Sequence, residues 1–208
     1  MVSGDRRSEA KRREILNAAR SLFVNEGYAD TGMEVVARRA RVSTATLYAH
    51  FPSKADLFQT TVGELIADIA KDLKAAAPEA MNAEARLTAF ARAYTRFCAN
   101  PGTRAVLRMV CAERHKFSES AETVRKRTRR EIGDDLIQMI DDLAKRGELE
   151  VEHPSWAASQ LLGLIEHSTL LFGMINGDDA QVGRPAQVVA DEAVRTFLAR
   201  YGVRDKGG

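Results

Sequence analysis

Apolar residues along this chain recur at helical spacing and almost nowhere alternate. The clearest stripe is Phe58, Val62, Leu65, Ile66, Ile69 and Leu73, at offsets of 0, 4, 7, 8, 11 and 15. Those offsets trace one face of a 3.6-residue period. Ser53 precedes the stripe with Asp56 three residues on, a capping-box-like start. The pattern predicts one long helix from about Lys54 to Ala77, closed near Pro78. Upstream, Ile15, Ala19, Leu22 and Phe23 predict an amphipathic helix ending near Gly27. Downstream, Asn82 caps a helix with Leu87, Phe90, Ala91, Tyr94, Phe97 and Cys98 on one face. Asn100-Pro101 opens the next helix with proline at its first position. Ile132, Leu136, Met139, Ile140 and Leu143 mark a later helix, closed by Lys145, Arg146 and a glycine at 147.

The last two helices differ in character. Residues 157–175 are apolar nearly all round, the mark of a helix buried on more than one side. Ala186, Val189, Ala190, Ala193, Val194, Phe197, Leu198 and Tyr201 form a second broad stripe. Residues 176–185 between them read as a loop. The expectation is an all-α chain of about nine helices.

Residues 31–58 carry a more specific pattern. Thr31 and Glu34 make a T-x-x-E capping box, which predicts a helix from about Gly32 to Ala40. Arg41, Val42 and Ser43 form a short turn, and Ser43 is a good N-cap for a second helix, Thr44 to His50. Val36 with Ala40, and Leu47 with Phe51, give each short helix one inward face. Two such helices on a three-residue turn are a helix-turn-helix. In that unit the second helix enters the major groove of DNA. Thr44, Ala45, Thr46 and Tyr48 would reach base edges, small side chains letting the backbone come close. Tyr48, His50 and Lys54 would position the helix on phosphates.

Charge adds a little. Residues 1–58 hold ten Lys/Arg against seven Asp/Glu, while the whole chain carries only +2. A mildly basic N-terminal third on a neutral body suits a module facing phosphate. Arg6, Arg7, Lys11 and Arg12 form a basic arm at its start. No apolar run reaches the roughly 18 residues of a membrane span, and the basic N-terminus has no apolar stretch of a secretory signal behind it. Cys98 and Cys111 cannot make a disulfide framework and read as apolar residues in a reducing cytoplasm. His115, His153 and His167 lack metal-ligand spacing, so no metal or cofactor is expected. The five cations of RKRTRR at 125–130 read as a solvated face.

The string G-Y-x-x-T…A-x-x-A-x-V-S-x-A-T-L-Y-x-H-F-x-S-K-x-x-L-F resembles the N-terminal signature of the tetracycline-repressor (TetR) family of transcriptional regulators. The matching residues are Gly27, Tyr28, Thr31, Ala37, Ala40, Val42, Ser43, Thr46, Leu47, Tyr48, His50, Phe51, Ser53, Lys54, Leu57 and Phe58. Two positions depart from it. Arg41 stands where glycine is usual, and a positive φ there would strain an arginine. Gly32 replaces the usual serine after Thr31 and removes one phosphate contact. RHKF at 114–117, then a long helix, then GEL at 147–149, resembles the effector domain of AefR-type members.

The resemblance implies a homodimeric, cytoplasmic repressor. Residues 1–58 would bind double-stranded operator DNA through Thr31, Gly32, Arg41, Ser43, Thr44, Ala45, Thr46, Tyr48, His50 and Lys54. Residues 59–208 would hold a small, hydrophobic effector and pair with a second copy. Pairing through the two apolar C-terminal helices would bury Leu161, Leu164, Leu171, Val189, Ala193, Val194, Phe197 and Tyr201 in a four-helix bundle. Phe90, Tyr94, Phe97, Met109, Phe117, His167 and Phe172 are the candidates to line the effector pocket, with plain core as the rival reading. No membrane partner is implied.

Two other classes compete. Glu166-His167-Ser168 sets an acid, a base and a hydroxyl side by side, but consecutive helical residues point about 100° apart and cannot form a relay. No nucleophile elbow or phosphate-binding glycine loop occurs, so catalytic residues are not expected. A helical adaptor would keep the helices but would have no need of Tyr48, His50 and Lys54 after a capped turn.

Overall fold

A computed structural model of the chain describes residues 2–112, 126, 129–177 and 184–203. Among the described residues there are nine helices and no strand; one isolated antiparallel bridge joins Leu149 to Gly202. The helices are α1 (Val2–Asp30), α2 (Met33–Arg39), α3 (Thr44–His50), α4 (Lys54–Ala76), α5 (Ala83–Ala99), α6 (Pro101–Ala112), α7 (Asp134–Lys145), α8 and α9 (Ala186–Tyr201). A π-turn, Arg129–Gly133, leads into α7. Helix α8 runs as Pro154–Glu166, a π-turn at His167–Leu171, and Phe172–Asn176. No helix among the described residues is long and apolar enough to cross a membrane.

The chain packs as two units. The first holds residues up to Leu65 together with the stretch of α6 from Ala105. Its core is Ile15, Leu16, Ala19, Leu22 and Phe23 of α1, Val36 and Ala37 of α2, Leu47 of α3, and Leu57, Phe58 and Val62 of α4, all buried. Helix α1 breaks at Gly27, whose φ of 83° and ψ of 168° lie outside any helix. Only glycine takes that backbone without strain. After the break Tyr28 folds back, its ring 5.9 Å from Phe23 and 5.1 Å from Phe58.

The second unit holds Ile66–Arg104 and the described residues from Lys126 onward. Helix α5 sits at its centre, with α9 and α8 packed on it, and α8 in turn meets α7. The long stripe of α4 is buried as predicted at Phe58, Val62, Ile66, Ile69 and Leu73, and Leu65 is half-buried. Arg92 of α5 grips Asp191 of α9 through two hydrogen bonds of 2.7 and 2.9 Å. That grip holds the Asp191 carboxyl below the usual carboxylate range.

Apart from Ala158, the buried positions of α8 step by four: Ala157, Leu161, Ile165, Thr169 and Gly173. In a regular α-helix a step of four drifts by about 40°, so these five would spread over about 160°. The π-turn takes back part of that drift. It is closed by the Phe172 amide donating to the His167 carbonyl, five residues back.

Candidate DNA-binding and effector sites

Helix α3 is fixed by local chemistry. The Ser43 hydroxyl accepts a hydrogen bond from the Thr46 amide at 3.1 Å, the predicted N-cap. Leu47 is fully buried and Phe51 nearly so, which pins the inner face. The outer face is then Thr44, Ala45, Tyr48 and Ala49, all exposed, with His50 half-exposed at the end. Tyr48 shows 48% of its surface. Thr46 is half-buried and its hydroxyl lies 2.8 Å from that of Ser43.

The predicted capping box at Thr31 does not form. Thr31 is buried and its hydroxyl donates to the Gly27 carbonyl at 2.6 Å. The break at Gly27 leaves that carbonyl without a helical partner, and the hydroxyl supplies one. The N-cap of α2 is Gly32, which has no side chain to bond with. Thr31 is thus occupied inside the unit, a correction to its expected place at the DNA. Lys54 is also engaged within the unit, its ammonium 2.8 Å from the Ala29 carbonyl and 4.6 Å from the Tyr28 ring centroid.

Arg41 has φ of 55°, the left-handed region. Its amide bonds the Arg38 carbonyl and the Val42 amide bonds the Ala37 carbonyl. That is a Schellman ending to α2 with arginine at the position glycine favours. Helix α7 ends in the same way at Gly147, φ 74°, with Gly147 bonding Ala144 and Glu148 bonding Leu143. We expect Arg41→Gly to stabilise the fold by about 1 kcal/mol and raise the melting temperature by about 2–4 °C. Thermal unfolding followed by circular dichroism checks this; an unchanged or lower midpoint would refute it.

Of the seven expected pocket residues, those described in the second unit fall in two places. Phe90 and Tyr94 are buried in α5 with rings 5.9 Å apart, and half-buried Phe97 follows at 5.9 Å from Tyr94. His167 is exposed and Phe172 is 44% exposed. These two line a groove of about 420 Å³ with Leu164, Ser168, Val189 and Ala193 on the outside of the second unit. The π-turn explains the outcome, because it sets Leu164, Ser168 and Phe172 in one line on the outer face. Met109 is half-buried in the first unit, and Phe117 lies outside the described residues, as does RHKF.

A small, partly open space of about 80 Å³ does lie beside Phe90. Leu73, Ala77, Ile132 and Met139 wall it, and buried Arg86 lines it while donating from Nε to the Ala77 carbonyl at 3.3 Å. Sequence reasoning missed Arg86 here. Its one signal was a cation next to Leu87 on an inward helix face. One turn further along the same face of α5, the Tyr94 hydroxyl donates to Glu166 at 2.5 Å. Burial, reinforced by Cys98 and Glu166, pushes the Tyr94 phenol well above its ordinary range. Burial, with Glu166 beside it, pushes the Cys98 thiol up to about 12. Cys98 is therefore a neutral thiol at ordinary pH and a poor nucleophile, while Cys111 is exposed.

Of the expected pairing residues, Leu161, Val189, Ala193, Val194, Phe197 and Tyr201 are buried within the protomer, because α9 packs on α5 and α8. Leu164 and Leu171 are exposed, as are Phe172, Ile175 and Val188. A second groove, beside the first, has Phe197 and Tyr201 along its wall with Leu164.

Comparison with known proteins agrees with this architecture. Residues 15–61 match the family described as bacterial regulatory proteins, tetR family, and residues 85–203 match the AefR-like transcriptional repressor, C-terminal domain. The transcriptional activator FasR of Mycolicibacterium smegmatis is 34% identical over 86 residues, a match that covers 39% of each chain. The chain thus spans about two fifths of the length of that relative. A TetR-family regulator from Mesorhizobium loti has the same fold with a TM-score of 0.88 and 26% identity, over 95% of this chain and 99% of that one. The flavonoid-responsive regulator FrrA aligns with a TM-score of 0.68 and 28% identity, over 93% of this chain and 98% of its own. With its capped recognition helix and its matched N- and C-terminal segments, the chain belongs to the TetR family of DNA-binding transcriptional regulators and carries an AefR-like C-terminal domain.

Proposed function

We propose that the chain is a homodimeric repressor that leaves a palindromic operator when a small hydrophobic effector binds. The observation that carries the DNA contact is the exposed row of Thr44, Ala45 and Tyr48 on a helix whose inner side is locked by buried Leu47. Arg41, Ser43 and His50 flank that row and supply polar contacts to phosphates, and Gly32 adds close backbone approach. In this reading residues 1–58 face DNA and residues 59–208 hold the effector and the partner copy, in the cytoplasm.

The effector reading rests on the space beside Phe90. At about 80 Å³ it is far below the 300–1,000 Å³ of a drug-sized ligand site. Ligand entry must therefore widen it. Its walls include Leu73 and Ala77 at the end of α4, the helix that begins beside α3. A ligand that prefers the widened state changes the setting of α4 and lowers operator affinity through linkage. That FrrA is flavonoid-responsive supports a small-molecule effector for this chain.

The dimer reading rests on Leu164, Leu171, Phe172, Ile175 and Val188, which together leave an apolar outer face on α8 and α9. A second copy laid on that face would bury it by two-fold symmetry. Phe172→Asp should convert dimer to monomer, at about 4 kcal/mol for the two copies or roughly a thousandfold in dissociation constant. Analytical ultracentrifugation reads the outcome, and a dimer that persists at micromolar concentration would place the interface elsewhere. The function itself is tested by selecting duplexes from a random library with the wild-type protein. A recovered palindrome, and a chromosomal reporter behind it that rises when the gene is deleted, support repression. A reporter that falls would mean activation, the activity named for FasR.

A further inference from the structure

Position 86 lies on the inward face of α5, where Ala83, Leu87, Phe90 and Ala91 are also buried. Packing alone would fill it with an apolar residue, yet it holds an arginine that is only 6% exposed. Arginine is rarely buried to that degree unless its charge is paired. The Arg86 Nε donates to the Ala77 carbonyl at 3.3 Å, long for a hydrogen bond. The N–H groups of its two Nη atoms meet no hydrogen-bond or ion-pair partner among the described residues. Neither Nη is sealed by protein, and Arg86 lines the space of about 80 Å³ beside Phe90. The two Nη atoms therefore face that space.

The buried walls of the space are apolar: Leu73, Ala77, Phe90, Ile132 and Met139. Its carboxylates stand at the rim. Glu79 and Asp135 are exposed, Glu131 and Asp142 are half-buried, and Asp142 accepts from Gln138 at 2.9 Å. None of them pairs with Arg86. Lys74, the other cation of the space, is exposed to solvent.

A buried cation without a counter-charge is costly, and an anion that hydrogen-bonds it offsets that cost. A carboxylate matches the planar fork of the two Nη atoms with two parallel bonds. The rim carboxylates repel any second negative charge, which disfavours a phosphate dianion. The walls suit a hydrocarbon body.

We propose that Arg86 anchors a monocarboxylate effector, whose head pairs with the two Nη atoms while its apolar body widens the space between Phe90, Leu73 and Met139. The proposal rests on the effector reading above and adds the class of ligand. Ala77 follows directly on α4, so the side chain that holds the ligand also touches the end of that helix.

The probes are octanoate, octanol, octylamine and octyl phosphate, which share one chain and differ in the head. Isothermal titration calorimetry gives the affinity of each. The wild-type protein should bind octanoate at least about thirtyfold more tightly than octanol, and more tightly than the amine or the phosphate. Arg86→Gln still has a donor for the Ala77 carbonyl but carries no charge. It should bring octanoate down to the affinity of octanol and leave octanol within about threefold of wild type.

Equal affinity for octanoate and octanol in the wild-type protein, or a preference for the amine or the phosphate, overturns the carboxylate class and leaves the effector reading standing. An octanoate preference that survives Arg86→Gln overturns Arg86 as the anchor. If Arg86→Gln does not fold, Arg86→Lys takes its place. It keeps the charge without the fork and should cost octanoate about tenfold with octanol unchanged; undiminished octanoate affinity would overturn the proposal. Binding of none of the four probes would count against the effector reading itself, and the proposal falls with it.

Discussion

Gly173→Ala is expected to destabilise the second unit by about 2–4 kcal/mol. A Cβ at this position would stand 2.0 Å from Nη1 of Arg104, and 2.8 Å from both its Cδ and Cζ. Real Cβ atoms never come so close, so one side must move. Helix α8 cannot, because Gly173 ends the buried row that Leu161, Ile165 and Thr169 begin. The Arg104 side chain must move instead, and it is only 4% exposed. Moving a buried guanidinium disturbs every polar contact it makes in its present place. For a chain of this length the cost corresponds to a fall of roughly 5–15 °C in melting temperature. A double-mutant cycle localises the effect: with Arg104→Leu already present, Gly173→Ala should cost less than about 1 kcal/mol. Additive losses in the cycle would show that the alanine harms α8 in some other way.

Tyr48→Ala is expected to lower operator affinity by about 2–3 kcal/mol, roughly 30- to 150-fold, and to leave the fold untouched. The two halves of that expectation come from one fact. Tyr48 projects from the outer face of α3 with nearly half its surface free, while Leu47 and Phe51 on the inner face hold the helix. Truncating it removes a groove contact and almost no packing. Circular dichroism and sedimentation should therefore match wild type while anisotropy with the selected duplex collapses. Affinity within about twofold of wild type would remove Tyr48 from the interface and shift the contact to Thr44 and Ala45. Leu47→Ala makes a useful contrast, since it should unfold α3 and lose binding together with helical signal.

How much of this was legible beforehand depended on whether a feature is local. The Ser43 cap, the inward Leu47 and the exposed outer face of α3 follow from residues within one turn of each other, and periodicity with capping rules places them. The glycine ending of α7 was readable for the same reason. Arg41 was legible in part: the sequence showed an arginine where glycine is usual, and the structure supplies the positive φ, 55°, that makes it costly. Thr31 went astray because two local rules compete for its hydroxyl. The capping box of α2 and the orphaned carbonyl at Gly27 both want it, and the carbonyl wins at 2.6 Å. The contacts of Lys54 and Arg12 within the unit were not legible for a different reason. A surface cation looks the same in sequence whether it meets a phosphate or a ring, and the rings here come from Tyr28 and Phe51, which are distant or on another helix. The two effector candidates on α8, His167 and Phe172, stand on an exposed groove, and a regular helical period could not anticipate the π-turn that begins at His167.

That widened turn governs how this helix should be aligned with its homologues. It spends one more residue than an α-turn on the same rotation of the chain. A homologue whose helix is regular throughout will carry the same buried row with one residue fewer between Ile165 and Gly173. A single-residue gap inside His167–Leu171 then keeps Gly173 opposite its true counterpart. Without that gap, every position beyond the turn is compared with a neighbour that points about 100° away. Identity scored across the second half of α8 would be understated, and Phe172 would be matched to the wrong face.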